Sequence, residues 1–209
     1  MVTVPRPPAP SGPSVTQPPA IRHFAADLHP ASMASEVSVM KALVTVSSKH
    51  GGTEGIGRSI ADTLRASGVE VDVVVPERVS TVEGYDAVIV GSALYLGRWM
   101  GPARDLVHRE AEALRARSVW LFASGPVTGV EEDAADKAEG LRLLELIGGR
   151  EFRLFAGLLD RSRLGIVERT VVRAIGSPWG DYRPWEEIEH WAVSIVEAMQ
   201  ATEAQVPAR

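Results

Sequence analysis

The stretch that decides the fold is KALVTVSSKHGGT, residues 41–53. Its first half, Lys41–Ser47, is a β-rich apolar run and predicts a buried strand. The run passes into a loop carrying Ser47, Ser48, Gly51, Gly52 and Thr53, and helical spacing at Ile56, Ile60 and Leu64 begins directly behind it. Such a strand, loop and helix start gather hydroxyls and free backbone N–H groups at the positive end of a helix. That setting suits a phosphate without a cluster of arginines.

Outward from this stretch the chain alternates. The helix over Thr53–Ser67 closes on Gly68, a residue suited to the C′ position. Further strands are predicted at Val69–Val75, Ala87–Ser92, Val119–Ser124 and Phe152–Leu158. Helices are predicted at Met100–Arg115, Ala134–Ile147 and Trp185–Met199, the last with Ile188, Trp191, Ala192, Ile195 and Met199 on one face. Strands alternating with helices imply βαβ units and a parallel sheet covered on both sides. Five strands suit an open doubly wound sheet and are too few for a barrel.

The composition narrows the classes. With 45% apolar residues in 209, a real core is within reach. A net charge of −5 argues against a nucleic-acid binder. The absence of cysteine removes disulfides, thiolate nucleophiles and cysteine-ligated metal centres, and no histidine pair has metal-ligand spacing. Apolar runs such as Val71–Val75 are too short for a membrane span; the lack of cysteine fits a reducing cytoplasm, so a cytoplasmic or membrane-peripheral protein is expected. Eight of the fourteen prolines lie within Pro5–Pro30. Residues 1–39 are therefore expected to be a disordered extension, with the folded domain at 40–200 opening on Met40 and a flexible tail at 201–209.

The glycine loop admits two readings. Gly51, Gly55 and Gly57 fit the G-x-x-x-G-x-G spacing of short-chain dehydrogenases. Against a dinucleotide, Gly51 comes four positions after Ser47, whereas a Rossmann turn starts its glycines at once. No tyrosine is followed four residues later by lysine, and asparagine is absent. The second reading is a mononucleotide loop. Ser47–Thr53 resembles the S-T-x-x-G-x-T phosphate loop of flavodoxins, with Ser47 and Thr53 as phosphate-binding hydroxyls. A plain glycine-rich βα turn is the bland alternative. Two more loops support the second reading. GSALYLGRW (Gly91–Trp99) follows the third strand and SGPVTG (Ser124–Gly129) the fourth. Small residues there, Gly91, Ser92, Gly125 and Gly129, would let backbone approach a flat ring, with Tyr95 or Trp99 stacked on it.

With these motifs the chain resembles the flavodoxin family from about Met40 to Met199, and within it the menaquinone-dependent protoporphyrinogen oxidase branch. Gly91-Ser92-Ala93-Leu94-Tyr95, Phe122-Ala123-Ser124 and the long insertion Leu159–Pro184 with Asp181-Tyr182-Arg183-Pro184-Trp185 carry that resemblance. It implies a flavodoxin-like α/β fold with strand order 2-1-3-4-5 and a helical insertion after strand five. The implied cofactor is FMN. Ser47, Ser48, Lys49, Gly51, Gly52 and Thr53 would surround its phosphate; Ala93, Leu94, Tyr95, Ser124, Gly125 and Val127 would lie around its ring. The implied activity is electron transfer from a porphyrinogen through FMN to a quinone, with no amino-acid nucleophile or base. The alternative is an electron shuttle between redox protein partners. A shuttle usually carries a strongly acidic face, whereas the insertion here is rich in arginine. Within it, Leu164, Val167, Val171, Ala174 and Ile175 share a helical face near Arg161, Arg163, Arg169 and Arg173. That segment, 161–175, would either rest on a membrane surface or pack on its own domain.

Overall fold

A strand buries both of its faces only when helices lie on both sides of the sheet. The computed structural model describes residues 39–95, 97–125, 134–160 and 179–205, all within the unit Val37–Arg209. The expected N-terminal extension, Val39 apart, lies outside the described residues. So do 161–178 of the insertion, with its expected amphipathic helix, and 206–209 of the expected tail.

In chain order the elements are β1 (Lys41–Ser47), α1 (Gly52–Ala66), β2 (Glu70–Val73), a 3-10 turn (Pro76–Arg78), β3 (Ala87–Tyr95), β4 (Arg98–Trp99), α2 (Gly101–Arg109), α3 (Ala111–Arg115), β5 (Ser118–Gly125), α4 (Ala134–Ile147), β6 (Glu151–Ala156), β7 (Leu158–Leu159), β8 (Gly180–Asp181) and α5 (Trp185–Ala204). The parallel strands lie in the order β2-β1-β3-β5-β6. This is the expected order 2-1-3-4-5 once β4, a two-residue strand antiparallel to the tip of β3, is set aside.

Alternation along each strand sorts the core into two layers. Ala42, Val44, Ala87, Ile89, Trp120 and Phe122 face α1 and α5, where Ile56, Ile60, Leu64, Ile188, Trp191 and Ile195 meet them. Leu43, Val88, Val90, Val119 and Leu121 face the other way, toward Leu106 and Val107 of α2, Leu114 of α3 and Leu143 and Ile147 of α4. In the first layer Phe122, Phe155 and Trp191 pack edge-on or tilted, with Phe155 and Trp191 centroids 5.5 Å apart. Gly91 belongs to this cluster. It is the register partner of Phe122, and a Cβ there would run into the Phe122 ring. The flat ring that Gly91 admits is therefore one of the protein's own.

The third strand is longer than its sequence suggests. The strand expected over Ala87–Ser92 continues as β3 to Tyr95, turns at Gly97 (φ 70°) and returns as β4, pairing Leu94 with Trp99 and Tyr95 with Arg98. Polar groups hold the hairpin from below. The Ser92 hydroxyl accepts the Met100 N–H at 2.9 Å. The largely buried Glu139 carboxylate accepts the Trp99 N–H at 2.6 Å and meets Arg104 at 3.6 Å. Trp99 is 2% exposed and tilts against Phe152. It is a core residue, and its expected alternative role as a stacking platform is withdrawn. The helix expected over Met100–Arg115 breaks at Glu110 (φ −98°, ψ 13°) into α2 and α3, and α5 runs to Ala204 rather than stopping at Met199.

Two substitutions test this packing. Gly91→Ala should cost about 1–3 kcal/mol by overpacking against Phe122, and Phe122→Leu in the same chain should return part of that loss; urea denaturation of the single and double variants reads both. Glu139→Ala should cost about 1–3 kcal/mol by leaving the buried Trp99 N–H without its acceptor, seen as a lower urea midpoint with an unchanged slope.

Candidate functional site

In an open parallel sheet, successive connections lie on opposite faces where the strand order reverses, and a crevice opens beyond the strand ends. Here that reversal lies between β1 and β3. Helix α1 leaves β1 for one face and α2 leaves the β3–β4 hairpin for the other. Ser47 and Ser92 stand side by side at this point, and Ala93 pairs with Ser124 on the next strand. The loop after β1 therefore opens into the crevice.

The local chain conformation explains why the loop needs its glycines. Gly51 takes φ 77°, ψ −2°, the left-handed region, and serves as the N-cap of α1. No side chain caps the helix. The first-turn N–H groups of Gly52, Thr53 and Glu54 thus meet the positive end of the helix dipole without a side-chain acceptor at the cap. Gly52 is buried, and a Cβ on it would lie 3.2 Å from Leu158 Cβ of β7.

Two hydroxyls lie beneath this loop. Ser47 is 4% exposed, and its Oγ is buried without a hydrogen-bond partner. Thr45, two residues earlier on the same strand face, shares that condition but lies inside β1, short of the loop. A buried hydroxyl without a partner costs free energy, about 1–3 kcal/mol, which a hydrogen-bonding group arriving at the loop would offset. Thr53 is 2% exposed, and its Oγ1 shares a 2.8 Å hydrogen bond with Ser124 Oγ. That bond spans β3, from the start of α1 to the end of β5.

The other sequence-predicted residues divide into three groups. Lys49 is exposed, and its ammonium lies 5.8 Å from the centroid of Tyr95, which is 42% exposed at the tip of β3. The phosphate loop and the β3 tip are thereby brought together. Leu94 packs beside Gly125, where a Cβ would lie 3.0 Å from Leu94 Cδ1, and Ala93 is half-buried one residue earlier. Ser48 is half-buried and lines a cleft of about 250 Å³ between α1 and β2, with Val46, Arg58 and Val73–Val75. Val127 and Gly129 lie outside the described residues.

Sequence reasoning missed one set of contacts. Asp181 and Arg183, at the end of the insertion, and Trp185 just behind it lie against the start of α1. Arg183 Nε and Nη2 donate to the two Asp181 oxygens at 2.7 and 2.5 Å, and Nη1 donates to the Gly52 carbonyl at 3.2 Å. The Arg183 hydrogen bonds hold the Asp181 carboxyl below the usual carboxylate range, against the opposing effect of burial. Together with Gly51, Glu54, Gly55, Arg58 and Leu158, Arg183 lines a cleft of about 410 Å³. The one sequence signal was the Asp181–Trp185 segment itself, which carries no indication of what it touches.

A uncapped helix start, an unpartnered buried hydroxyl and adjacent glycines fit a phosphate monoester at Ser47–Thr53. Against known proteins, a family model described as flavodoxin domain matches residues 43–183. No curated protein matches the chain significantly. Among solved structures, a flavodoxin from the domain Archaea is 17% identical, with a TM-score of 0.53 over 77% of this chain and 99% of that one. Flavodoxin 2 from Bacillus cereus is 22% identical, with a TM-score of 0.52 over 76% and 99%. Rubredoxin oxygen:oxidoreductase from the anaerobe Desulfovibrio gigas is 16% identical, with a TM-score of 0.54 over 78% of this chain but 37% of its own. The domain match covers more than half of the chain and agrees with the strand order and the loop at its switch point: this protein belongs to the flavodoxin-domain family.

Proposed function

We propose that the protein binds FMN and acts as an oxidoreductase resembling menaquinone-dependent protoporphyrinogen oxidase, passing electrons from a reduced substrate to a quinone. The observation that carries the FMN reading is the Ser47 hydroxyl, buried and unpartnered at the entrance to the uncapped start of α1. Ser47, Ser48, Lys49, Gly51, Gly52 and Thr53 would hold the phosphate. Ala93, Leu94, Tyr95, Ser124, Gly125 and Val127 would flank the ring, with Tyr95 the aromatic face at the tip of β3. Bound FMN would supply the redox chemistry. The chain's part is to anchor the phosphate, orient the ring and set how much water reaches it.

The acceptor and donor classes, a quinone and a porphyrinogen, rest on the sequence resemblance. Among the described residues no helix is long and apolar enough to cross a membrane, so a quinone would be met at a membrane surface or in solution. The segment proposed for surface contact, 161–175, lies outside the described residues.

An absorbance spectrum of the purified protein tests the first step. A flavin band is expected, and the released cofactor should be FMN; a colourless protein that takes up no added FMN would sink the reading. The loaded protein should then oxidise a porphyrinogen only when a quinone is supplied. If it is inert there but exchanges electrons with a redox protein, the shuttle function holds instead.

Ser47→Ala separates a binding role from a structural one. Its hydroxyl makes no internal bond, so the apoprotein should be at least as stable as the parent, while FMN binds about tenfold more weakly. Thr53→Ala, which also breaks the bond to Ser124, should lose FMN affinity and about 1 kcal/mol of stability together. Flavin fluorescence titration and urea denaturation provide the two readouts.

A further inference from the structure

A guanidinium is out of place at the start of a helix, because the positive end of the dipole repels it. Arg183 nevertheless lies there with its side chain 12% exposed. Three contacts hold it. Asp181 engages it through two oxygens. The Trp185 ring lies beneath it, 4.2 Å from centroid to guanidinium carbon. Its Nη1 donates to the carbonyl of Gly52, 131 residues away in sequence. The Asp181 carboxylate offsets the arginine charge locally, so α1 keeps its positive field for an anion.

The bond to Gly52 has a geometric consequence. The Gly52 carbonyl and the Thr53 N–H belong to one planar peptide and point in opposite directions. Gly52 opens α1, so its carbonyl points along the helix and the Thr53 N–H back toward the loop; the bond from Arg183 holds that orientation at the frayed end of the helix, and the Ser47 hydroxyl at the strand end is buried without a partner. Leu158 presses on Gly52 from the same side. Gly55 makes room for the arrangement: a Cβ there would collide with the Arg183 guanidinium.

We propose that Arg183, braced by Asp181 and Trp185, is a positioning residue that fixes the Gly52–Thr53 peptide so that the loop selects a phosphate-bearing flavin over its dephosphorylated form. This rests on the phosphate-loop reading above. Arg183 does not touch the ligand; it acts through the peptide it holds.

The test is fluorescence titration of the full-length apoprotein with FMN and, separately, with riboflavin, which lacks the phosphate. Arg183→Ala should weaken FMN about tenfold and leave riboflavin within about twofold. A merely structural role would weaken both flavins alike. Gly55→Ala, which displaces the guanidinium without removing it, should reproduce the selective loss. The same change made in the Arg183→Ala chain should add nothing, because the two act through one contact. Equal losses for both flavins, or unchanged FMN affinity in Arg183→Ala, would overturn the positioning role while a parental preference for FMN left the loop reading intact. A parent that binds FMN and riboflavin equally would overturn the loop reading and this inference with it.

Discussion

The rest of the site depends on how closely the first turn of α1 approaches the carboxyl ends of the strands. Three contacts set that distance. Gly57 lets the helix sit on Val46 of β1. Gly52 meets Leu158 of β7. Thr53 reaches across β3 to Ser124 of β5 through a hydroxyl pair. The third contact is possible because the β3 residues on that face, Gly91 and Ala93, are small. Larger side chains there would lift the helix start off the sheet and move its N–H groups away from Ser47. The position of the helix start, where the proposed phosphate would bind, is thus set by the packing of apolar layers some distance below it.

Much of this was legible in the sequence, for a definite reason. Strand and helix periods leave different marks, and the alternation of Ala42, Leu43 and Val44 between two core layers is the kind of pattern that sequence displays. Where the reading went astray, one residue type carried two possible meanings. Gly91 and Ser92 read both as the end of the third strand and as the start of the loop behind it, because glycine and serine commonly end strands. In the structure Gly91 accommodates the Phe122 ring, and Ser92 supplies an acceptor for Met100 N–H, so both sustain β3 rather than end it. Trp99 was misread for a related reason. Its burial depends on a carboxylate, Glu139, that comes from α4 forty positions later and has no local sequence signature.

The contacts of Arg183 lay further out of reach. A sequence shows that arginine, aspartate and tryptophan alternate over Asp181–Trp185, and neighbouring opposite charges predict the Asp181–Arg183 pair. Nothing in the spacing says that the spare donor of that arginine will find the carbonyl of Gly52. Pairings of that kind are decided by how the chain around β7 and β8 docks against the first turn of α1, which is a property of the assembled fold. Elements built from one continuous stretch are therefore readable, and contacts made by a distant return of the chain are not.

The same contacts bear on the choice between a mononucleotide and a dinucleotide. The case for the latter rested on Gly51, Gly55 and Gly57 as a phosphate-binding fingerprint, in which glycine lets a backbone approach a pyrophosphate. Each glycine now has another reason. Gly51 takes a left-handed conformation to begin the helix. Gly57 admits a Val46 methyl, and Gly55 admits the Arg183 guanidinium. That guanidinium, with Leu158, lines the cleft on the flank of the helix start. With those three reasons given, the glycines no longer argue for a pyrophosphate, and the proposed mononucleotide reading rests on the hydroxyls of Ser47 and Thr53 at the two ends of the loop.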